Sequence, residues 1–86
     1  MNENVEPLKI IEASIKNKEF NEALGLCNKY NKSISKRDYF YLTSVCYRYL
    51  NELDKALKGL DNLIQIDPKY GRAFQEFGHV HVLLKD

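Results

Sequence analysis

The chain contains few of the residues that interrupt regular structure or hold a metal. Its 86 residues include two prolines, four glycines and two cysteines, and no tryptophan. Two cysteines are too few for a structural zinc site, which needs more ligands at closer spacing. Hydrophobic residues make up 44% and charged residues 29% of the chain. This balance excludes a disordered tail and favours one small folded domain.

The chain also lacks an excess of charge of either sign. Lysine and arginine number 13, and aspartate and glutamate number 12. The longest basic run, Lys36 with Arg37, is followed at once by Asp38. Nucleic acids and anionic membranes attract proteins that carry a strong basic patch. We therefore expect neither a nucleic acid nor a membrane as partner.

Long hydrophobic runs are missing as well. No apolar run approaches the roughly 20 residues that a membrane-spanning helix needs. The segment 1–11 has no basic stretch followed by an apolar one, so we expect no signal peptide. These features predict a cytoplasmic protein in which Cys27 and Cys46, at core-facing helical positions, are buried reduced thiols.

No group of residues indicates catalysis, a cofactor or a metal. His79 and His81 are two residues apart, and a helix turns about 100° per residue, so they point to nearly opposite sides. The glycines are scattered rather than gathered into a phosphate-binding loop. No spacing suggests a Ser–His–Asp or Cys–His arrangement. We expect a protein that is not an enzyme.

A repeated apolar pattern is the most informative feature of the sequence. Apolar residues in segment 18–30 recur in the same order in segment 52–64. Each one in the second segment lies 33 residues after its counterpart in the first. Within each segment their spacing is that of one face of an amphipathic helix. The repeated pairs are Phe20 and Leu53, Ala23 and Ala56, Leu24 and Leu57, Cys27 and Leu60, and Tyr30 and Leu63.

A further helix is predicted before each of these two, and a fifth after them. The first covers about 5–17, with Pro7 in its first turn, where a missing N–H costs little. The third begins at Ser35, whose hydroxyl can cap it while Asp38 reaches back. Asp67 and Pro68 end the fourth helix, and the fifth covers about 69–84. The aromatic segment DYFYLTSVCYRYL leaves a β-strand as the alternative for the third element.

In this register the chain resembles the tetratricopeptide repeat (TPR), a helix–turn–helix unit of about 34 residues. The middle repeat is similar to the family template at Phe40, Tyr47, Ala56, Leu60 and Pro68. In the last helix Phe74, Phe77 and Gly78 match the opening of the template, whereas His81 stands where tyrosine is usual. Thr43 and Ser44 depart from the leucine-glycine of the template, although both are small.

The resemblance implies an all-α fold, a right-handed α-solenoid of antiparallel helix pairs with five helices. Repeat one would span about 4–34, repeat two about 35–68, and a partial repeat or capping helix 69–86. The family binds another protein or peptide in a concave groove lined by the first helix of each repeat. Carried over by register, the groove residues are Tyr41, Val45, Arg48, Tyr49, Tyr70, Arg72, Gln75 and His79. Packing between helices is the competing role for this set.

The last helix carries an apolar stripe with no later helix to cover it. The stripe consists of Ala73, Phe74, Phe77, Val80, Leu83 and Leu84. A stripe of this kind predicts self-association, as a homodimer through the C-terminal helix. For the function, the alternative to a protein- or peptide-binding scaffold is an N-terminal TPR fragment of a larger bacterial enzyme, for example a transferase, that recruits a substrate or partner.

Overall fold

The computed structural model describes residues 5–85, and all regular elements in that range are helices. In chain order they are α1 (Val5–Lys16), α2 (Phe20–Lys29), α3 (Lys36–Tyr49), α4 (Leu53–Ile66) and α5 (Gly71–Lys85). The all-α expectation is confirmed, and the β-strand alternative for the aromatic segment is wrong, because that segment is α3. Residues 4 and 86, which limit the predicted repeats, lie outside the described range.

The ends of α3 and α4 follow the expected local chemistry. The Ser35 hydroxyl accepts a hydrogen bond from the Asp38 amide at 3.0 Å, which satisfies one of the free N–H groups of the first turn. A return bond from the Ser35 amide to the Asp38 carboxylate is not formed within the described residues. Helix α4 ends at Ile66, directly before Asp67 and Pro68. Helix α5 begins at Gly71, two residues later than predicted.

The turn between α1 and α2 has the same geometry as the turn between α3 and α4. Lys18 and Asn51, one in each turn, have left-handed φ values of 64° and 62°. Glu19 and Glu52 follow them with φ of −95° and ψ of 67° and 71°. In each turn the amide of the left-handed residue donates to the carbonyl three residues earlier, at 2.9 and 3.0 Å. Because Lys18 and Asn51 are separated by the same offset as the apolar pairs, the local backbone repeats in register with the apolar pattern.

Buried side chains form two clusters. The first consists of Ala56, Leu60, Leu63, Ala73 and Val80, from α4 and α5. The second consists of Ile11, Cys27, Ile34 and Leu42, from α1, α2, the α2–α3 connection and α3. The half-buried ring of Tyr41 packs against both clusters. Helix α3 therefore connects the two halves of the core.

Each helix packs against its neighbours along the chain, and α3 also contacts α5. Five consecutive residues of α3, from Leu42 to Cys46, are buried. Helices α3 and α4 approach closely at Ser44 and Gly59, where a Cβ on the glycine would overlap the serine hydroxyl. A small residue is therefore required at this crossing.

The two cysteines lie where the sequence predicts. Cys27 and Cys46 are fully buried and free. Burial raises the pKa of the Cys27 thiol to about 11. Burial, with a smaller contribution from Cys27, raises the pKa of Cys46 to about 12. Both thiols are thus held protonated near neutral pH.

The apolar stripe of α5 is only partly uncovered, which corrects the sequence-based expectation. Ala73 and Val80 are fully buried, and Phe77 packs against the first cluster, because α4 covers this side of α5. The exposed apolar residues of α5 are Phe74, Val82, Leu83 and Leu84.

No helix within residues 5–85 has the length and apolar character needed to cross a bilayer.

Candidate functional site

Two tyrosines and two arginines meet where α3 faces the start of α5. The rings of Tyr41 and Tyr70 pack edge to face, with centroids 5.8 Å apart. The Arg72 guanidinium lies 5.7 Å from the Tyr41 ring centre, and that of Arg37 lies 4.7 Å from the Tyr70 ring centre. These distances are within the range of cation–π attraction. We call these four residues the Tyr41–Tyr70 cluster, and three of them were expected in the groove.

Arg37 is the member that the sequence did not single out. It belongs to a two-residue basic run, which by itself indicates only a solvated surface. In the fold its guanidinium also pairs with the Asp67 carboxylate at 3.4 Å, and both side chains are well exposed. An exposed pair contributes about 0–1 kcal/mol, so it holds Arg37 only loosely. The cation thus remains accessible to a ligand.

Arg48 was expected to line the groove, but its guanidinium is already engaged. Its Nε donates to Glu76 Oε2 at 2.7 Å, and its Nη2 donates to Glu76 Oε1 at 3.0 Å. The side chains of Arg48 and Glu76 are only 15% and 6% exposed. Hydrogen bonding to Glu76 is the main cause that raises the pKa of Arg48. This buried two-point ion pair joins α3 to α5.

Glu76 was not predicted as a functional or structural residue. The signal was present, since Glu76 is a charged residue on the side of α5 that carries Ala73, Phe77 and Val80. A buried carboxylate needs a positive partner, because removing its charge from water is costly. That need predicts a cationic side chain on a facing helix, which the structure shows to be Arg48.

The Tyr41 hydroxyl is a neutral hydrogen-bond donor at physiological pH. Burial is the largest cause that raises its pKa, the Glu76 carboxylate adds to the rise, and Arg72 opposes it. A neutral phenol can donate to a carbonyl or carboxylate oxygen of a ligand. Tyr41 therefore adds a polar group to an otherwise aromatic and cationic surface.

Tyr49 lies at the other end of α3. Its ring stacks on Phe20 at the start of α2, with centroids 4.6 Å apart and planes 4° from parallel. The Arg48 guanidinium lies 4.4 Å from the centre of the Tyr49 ring. Tyr49 is still 55% exposed. It can contact a partner while it also holds α2 against α3.

The remaining predicted groove residues differ in how much surface they offer. Val45 is 8% exposed, so it contributes to packing and presents little area to a ligand. Gln75 and His79 are exposed on α5. The fold thus brings Tyr41, Tyr70 and Arg72 together, and it leaves Gln75 and His79 exposed on the same helix as Arg72.

An open depression lies on a different part of the molecule. It has a volume of about 620 Å³ and lies between the start of α3 and the end of α4. Its lining residues are Asn31, Lys36, Tyr39, Phe40, Asn62, Gln65 and Ile66. None of the eight predicted groove residues belongs to this set.

Metal ligands are not gathered in the part of the chain that the structure describes. There, no three or more histidine, cysteine, aspartate or glutamate side chains could hold one ion. His79 and His81 are both exposed, and the His81 ring stacks on Phe77, with ring centres 6.3 Å apart.

Comparison of the chain with protein-family models, curated proteins and solved structures gives no match.

Proposed function

We propose that this chain is a TPR-like module that binds another protein or peptide and catalyses no reaction. The proposed binding face is formed by the first helices of the repeats, α1, α3 and α5. The observation that supports it best is the Tyr41–Tyr70 cluster, where two aromatic rings and two accessible arginines adjoin. Tyrosine and arginine are the residue types most often found at binding hot spots.

We propose a right-handed solenoid as the architecture of this module, and two features support the stacking of its helix pairs. The α1–α2 and α3–α4 turns share their backbone geometry at equivalent positions of the two predicted repeats. In addition α3 contacts α5, the helix that would begin the next repeat. Stacked repeats require contacts of this kind between neighbouring units. On this basis we assign the helix pairs to repeats one and two and α5 to a partial repeat.

The chemistry of the cluster indicates the kind of peptide that would bind. Arg72 and Arg37 favour a carboxylate, which can accept two hydrogen bonds from one guanidinium. The faces of Tyr41 and Tyr70 favour an apolar or aromatic side chain. The preferred ligand is therefore a peptide with an apolar anchor next to an acidic residue.

A peptide-display selection, followed by fluorescence anisotropy with the selected peptides, tests this proposal. Arg72→Ala should weaken binding about tenfold, because hot-spot residues contribute more than about 1 kcal/mol. Tyr41→Phe, which keeps the ring, should weaken binding less through loss of the hydroxyl. Lys29→Ala removes an exposed cation of α2, outside the proposed binding face, and is the matched control. Equal affinity of all variants for the selected peptides would refute the assignment of this face.

We also propose that two copies associate through the outer face of α5. Phe74 and Val82 are 53% and 63% exposed on this face, and Gly78 between them has open space around it. Phe74 and Val82 lie four residues before and after Gly78, so an antiparallel second α5 would place Phe74 of each copy near Val82 of the other. Because the same exposed apolar face on two chains can pack against itself in this way, it favours a symmetric dimer.

Sedimentation velocity measures this association directly. The wild-type chain should show a concentration-dependent shift to a dimer, and Phe74→Glu should remain a monomer. Glu22→Ala, at an exposed position of α2, is the control that should dimerise like the wild type. A wild-type chain that stays monomeric at millimolar concentration would contradict the dimer.

A further inference from the structure

Two adjoining cavities form one cleft between α3 and α4. Their volumes are about 620 and 190 Å³, and both are lined by Tyr39, Phe40 and Asn62. The cleft runs from Ile66 at the end of α4 to Tyr47 on α3. Its size is within the range of natural ligand sites. We call it the α3–α4 cleft, and it shares no residue with the Tyr41–Tyr70 cluster.

The aromatic wall of the cleft is held in place by the surrounding structure. The rings of Tyr39 and Phe40 pack edge to face with centroids 5.4 Å apart. The Tyr39 hydroxyl donates to Asn28 Oδ1 at 2.8 Å, which ties α3 to α2. The side chain of Ile66 is exposed at the same end of the cleft. This end therefore offers an ordered apolar contact surface for one inserted side chain.

Amide side chains from two elements line the same end. Asn62 and Gln65 lie on α4, and Asn31 lies in the connection between α2 and α3. Each primary amide carries both a donor and an acceptor, so each can pair with the N–H or C=O of a peptide backbone. A helical ligand satisfies its own backbone groups, whereas an extended one leaves them free. The amides thus favour an extended segment.

The charged residues that line the cleft are all lysines: Lys36, Lys55 and Lys58. Lys55 is paired with Glu52 at 3.0 Å, an exposed contact that contributes little. Among the residues lining the two cavities there is no carboxylate. Charge complementarity therefore favours an acidic ligand and disfavours a basic one.

We propose that the α3–α4 cleft is a second binding site, which takes an extended acidic peptide segment of a partner protein. The segment inserts an apolar side chain between Phe40 and Ile66, and its backbone pairs with Asn62 and Gln65. Its carboxylates lie near Lys36 and Lys58. This site is independent of the Tyr41–Tyr70 cluster, so either proposal can fail without the other.

Nuclear magnetic resonance titration of the ¹⁵N-labelled full chain tests the proposal. The probe is a blocked peptide with a central leucine flanked by glutamates. Amide shifts should concentrate at Asn62, Gln65, Ile66 and their neighbours. The same peptide with alanine in place of leucine should bind more weakly, and one with lysines in place of the glutamates should not bind. The affinity is read from the shifts of Asn62, Gln65 and Ile66 alone, because the Tyr41–Tyr70 cluster is proposed to bind a peptide of similar chemistry.

Charge reversal provides the matched comparison. The Lys36→Glu, Lys58→Glu double variant should weaken binding about tenfold, because it places two like charges beside the ligand. Lys9→Glu, Lys16→Glu makes the same change on α1, away from the cleft, and should bind as the wild type does. Binding without shifts at the cleft, equal loss in both double variants, or no binding up to millimolar peptide would each overturn the proposal.

Discussion

The two helical hairpins have the same turn but different crossings. In the α3–α4 hairpin, Ser44 meets Gly59 so closely that a Cβ on the glycine would overlap the serine hydroxyl. The equivalent positions of the α1–α2 hairpin hold Ile11 and Leu26, which are large apolar residues packed in the second core cluster. The turn depends on a few local backbone dihedrals, whereas the crossing depends on side-chain size at two distant positions. Two hairpins can therefore share the geometry of their turn while their crossings differ.

The hairpins also differ in how they connect to the next element. Arg48 joins α3 to α5 through a buried ion pair with Glu76. The equivalent residue in α1 is Ile15, which packs against the second core cluster. An apolar contact tolerates loss of one partner better than a buried charge does. The connection beyond the second hairpin is therefore more sensitive to substitution.

Glu76→Ala should have the largest effect on the free energy of unfolding. It leaves the Arg48 guanidinium buried without its partner, which costs about 3 kcal/mol. Urea denaturation followed by circular dichroism measures the loss. The Arg48→Met, Glu76→Leu double variant should recover most of it, because no buried charge remains. A double variant as unstable as the single one would show that the ion pair is not the cause.

High pH should destabilise the fold through the two thiols, one in each hairpin. Unfolded cysteines ionise near about pH 8.5, whereas the pKa values of folded Cys27 and Cys46 are raised to about 11 and 12. The unfolded chain therefore binds fewer protons above about pH 9, and stability falls by about 1 kcal/mol per pH unit for each thiol.

Urea denaturation of the wild type and of Cys27→Ala between pH 8 and pH 10 measures this effect. The variant loses core volume and should be less stable throughout. Its stability should nevertheless fall less steeply with pH, because one of the two thiols is gone. Parallel curves for the two proteins would contradict a role for Cys27 in the pH dependence.

Glycine-to-alanine substitutions should distinguish the close α3–α4 crossing from an open helix surface. Gly25 in α2 has open space, so Gly25→Ala should stabilise by about 1 kcal/mol through helix propensity. Gly59→Ala should lose that gain, because its Cβ meets the Ser44 hydroxyl. That hydroxyl has no hydrogen-bond partner within the described residues, so Ser44→Ala should itself stabilise by about 1 kcal/mol.

The Ser44→Ala, Gly59→Ala double variant completes this comparison. Removing the hydroxyl frees the space that the new Cβ needs, so the alanine at position 59 should now stabilise as it does at position 25. Thermal unfolding of the four variants measures the differences. A Gly59→Ala variant as stable as Gly25→Ala would show that the close crossing carries no constraint.

The smallest effect is expected at the turns themselves. Lys18→Gly should stabilise by about 0.5 kcal/mol, because a side chain in the left-handed region is strained and glycine is not. Asn51→Gly should change stability less, since asparagine adopts this conformation readily. Chemical denaturation of both variants measures the difference. An equal gain at the two positions would contradict this explanation.

Much of the fold follows from local patterns in the sequence. The stripes containing Ala23 and Ala56 predicted α2 and α4, and Ser35 and Pro68 marked where α3 begins and α4 ends. These predictions succeeded because helix formation and capping depend on residues within one or two turns of each other. The apolar stripe predicted for α5 was less accurate, because periodicity does not say how much of a stripe a neighbouring helix covers.

The candidate site was predictable only in part. The template register brought Tyr41, Tyr70 and Arg72 together on one face, but it assigned Arg48 to the groove without its partner Glu76. It also missed Arg37 and the whole α3–α4 cleft. A register states which residues share a helix face, and it contains no information on which charged groups on different helices come within hydrogen-bonding distance.

The sequence by itself determined that residues 5–85 are helical, roughly where the five helices lie, and which stripes of α2 and α4 are buried. Only the tertiary structure decided that Arg48 is paired with Glu76, that Val45 is covered, and that a cleft opens beside Phe40. The physical reason is the separation along the chain over which each interaction acts. Helix propensity and capping act within a few residues, whereas ion pairs and cavities depend on the separation and rotation of whole helices, which many distant side chains set together.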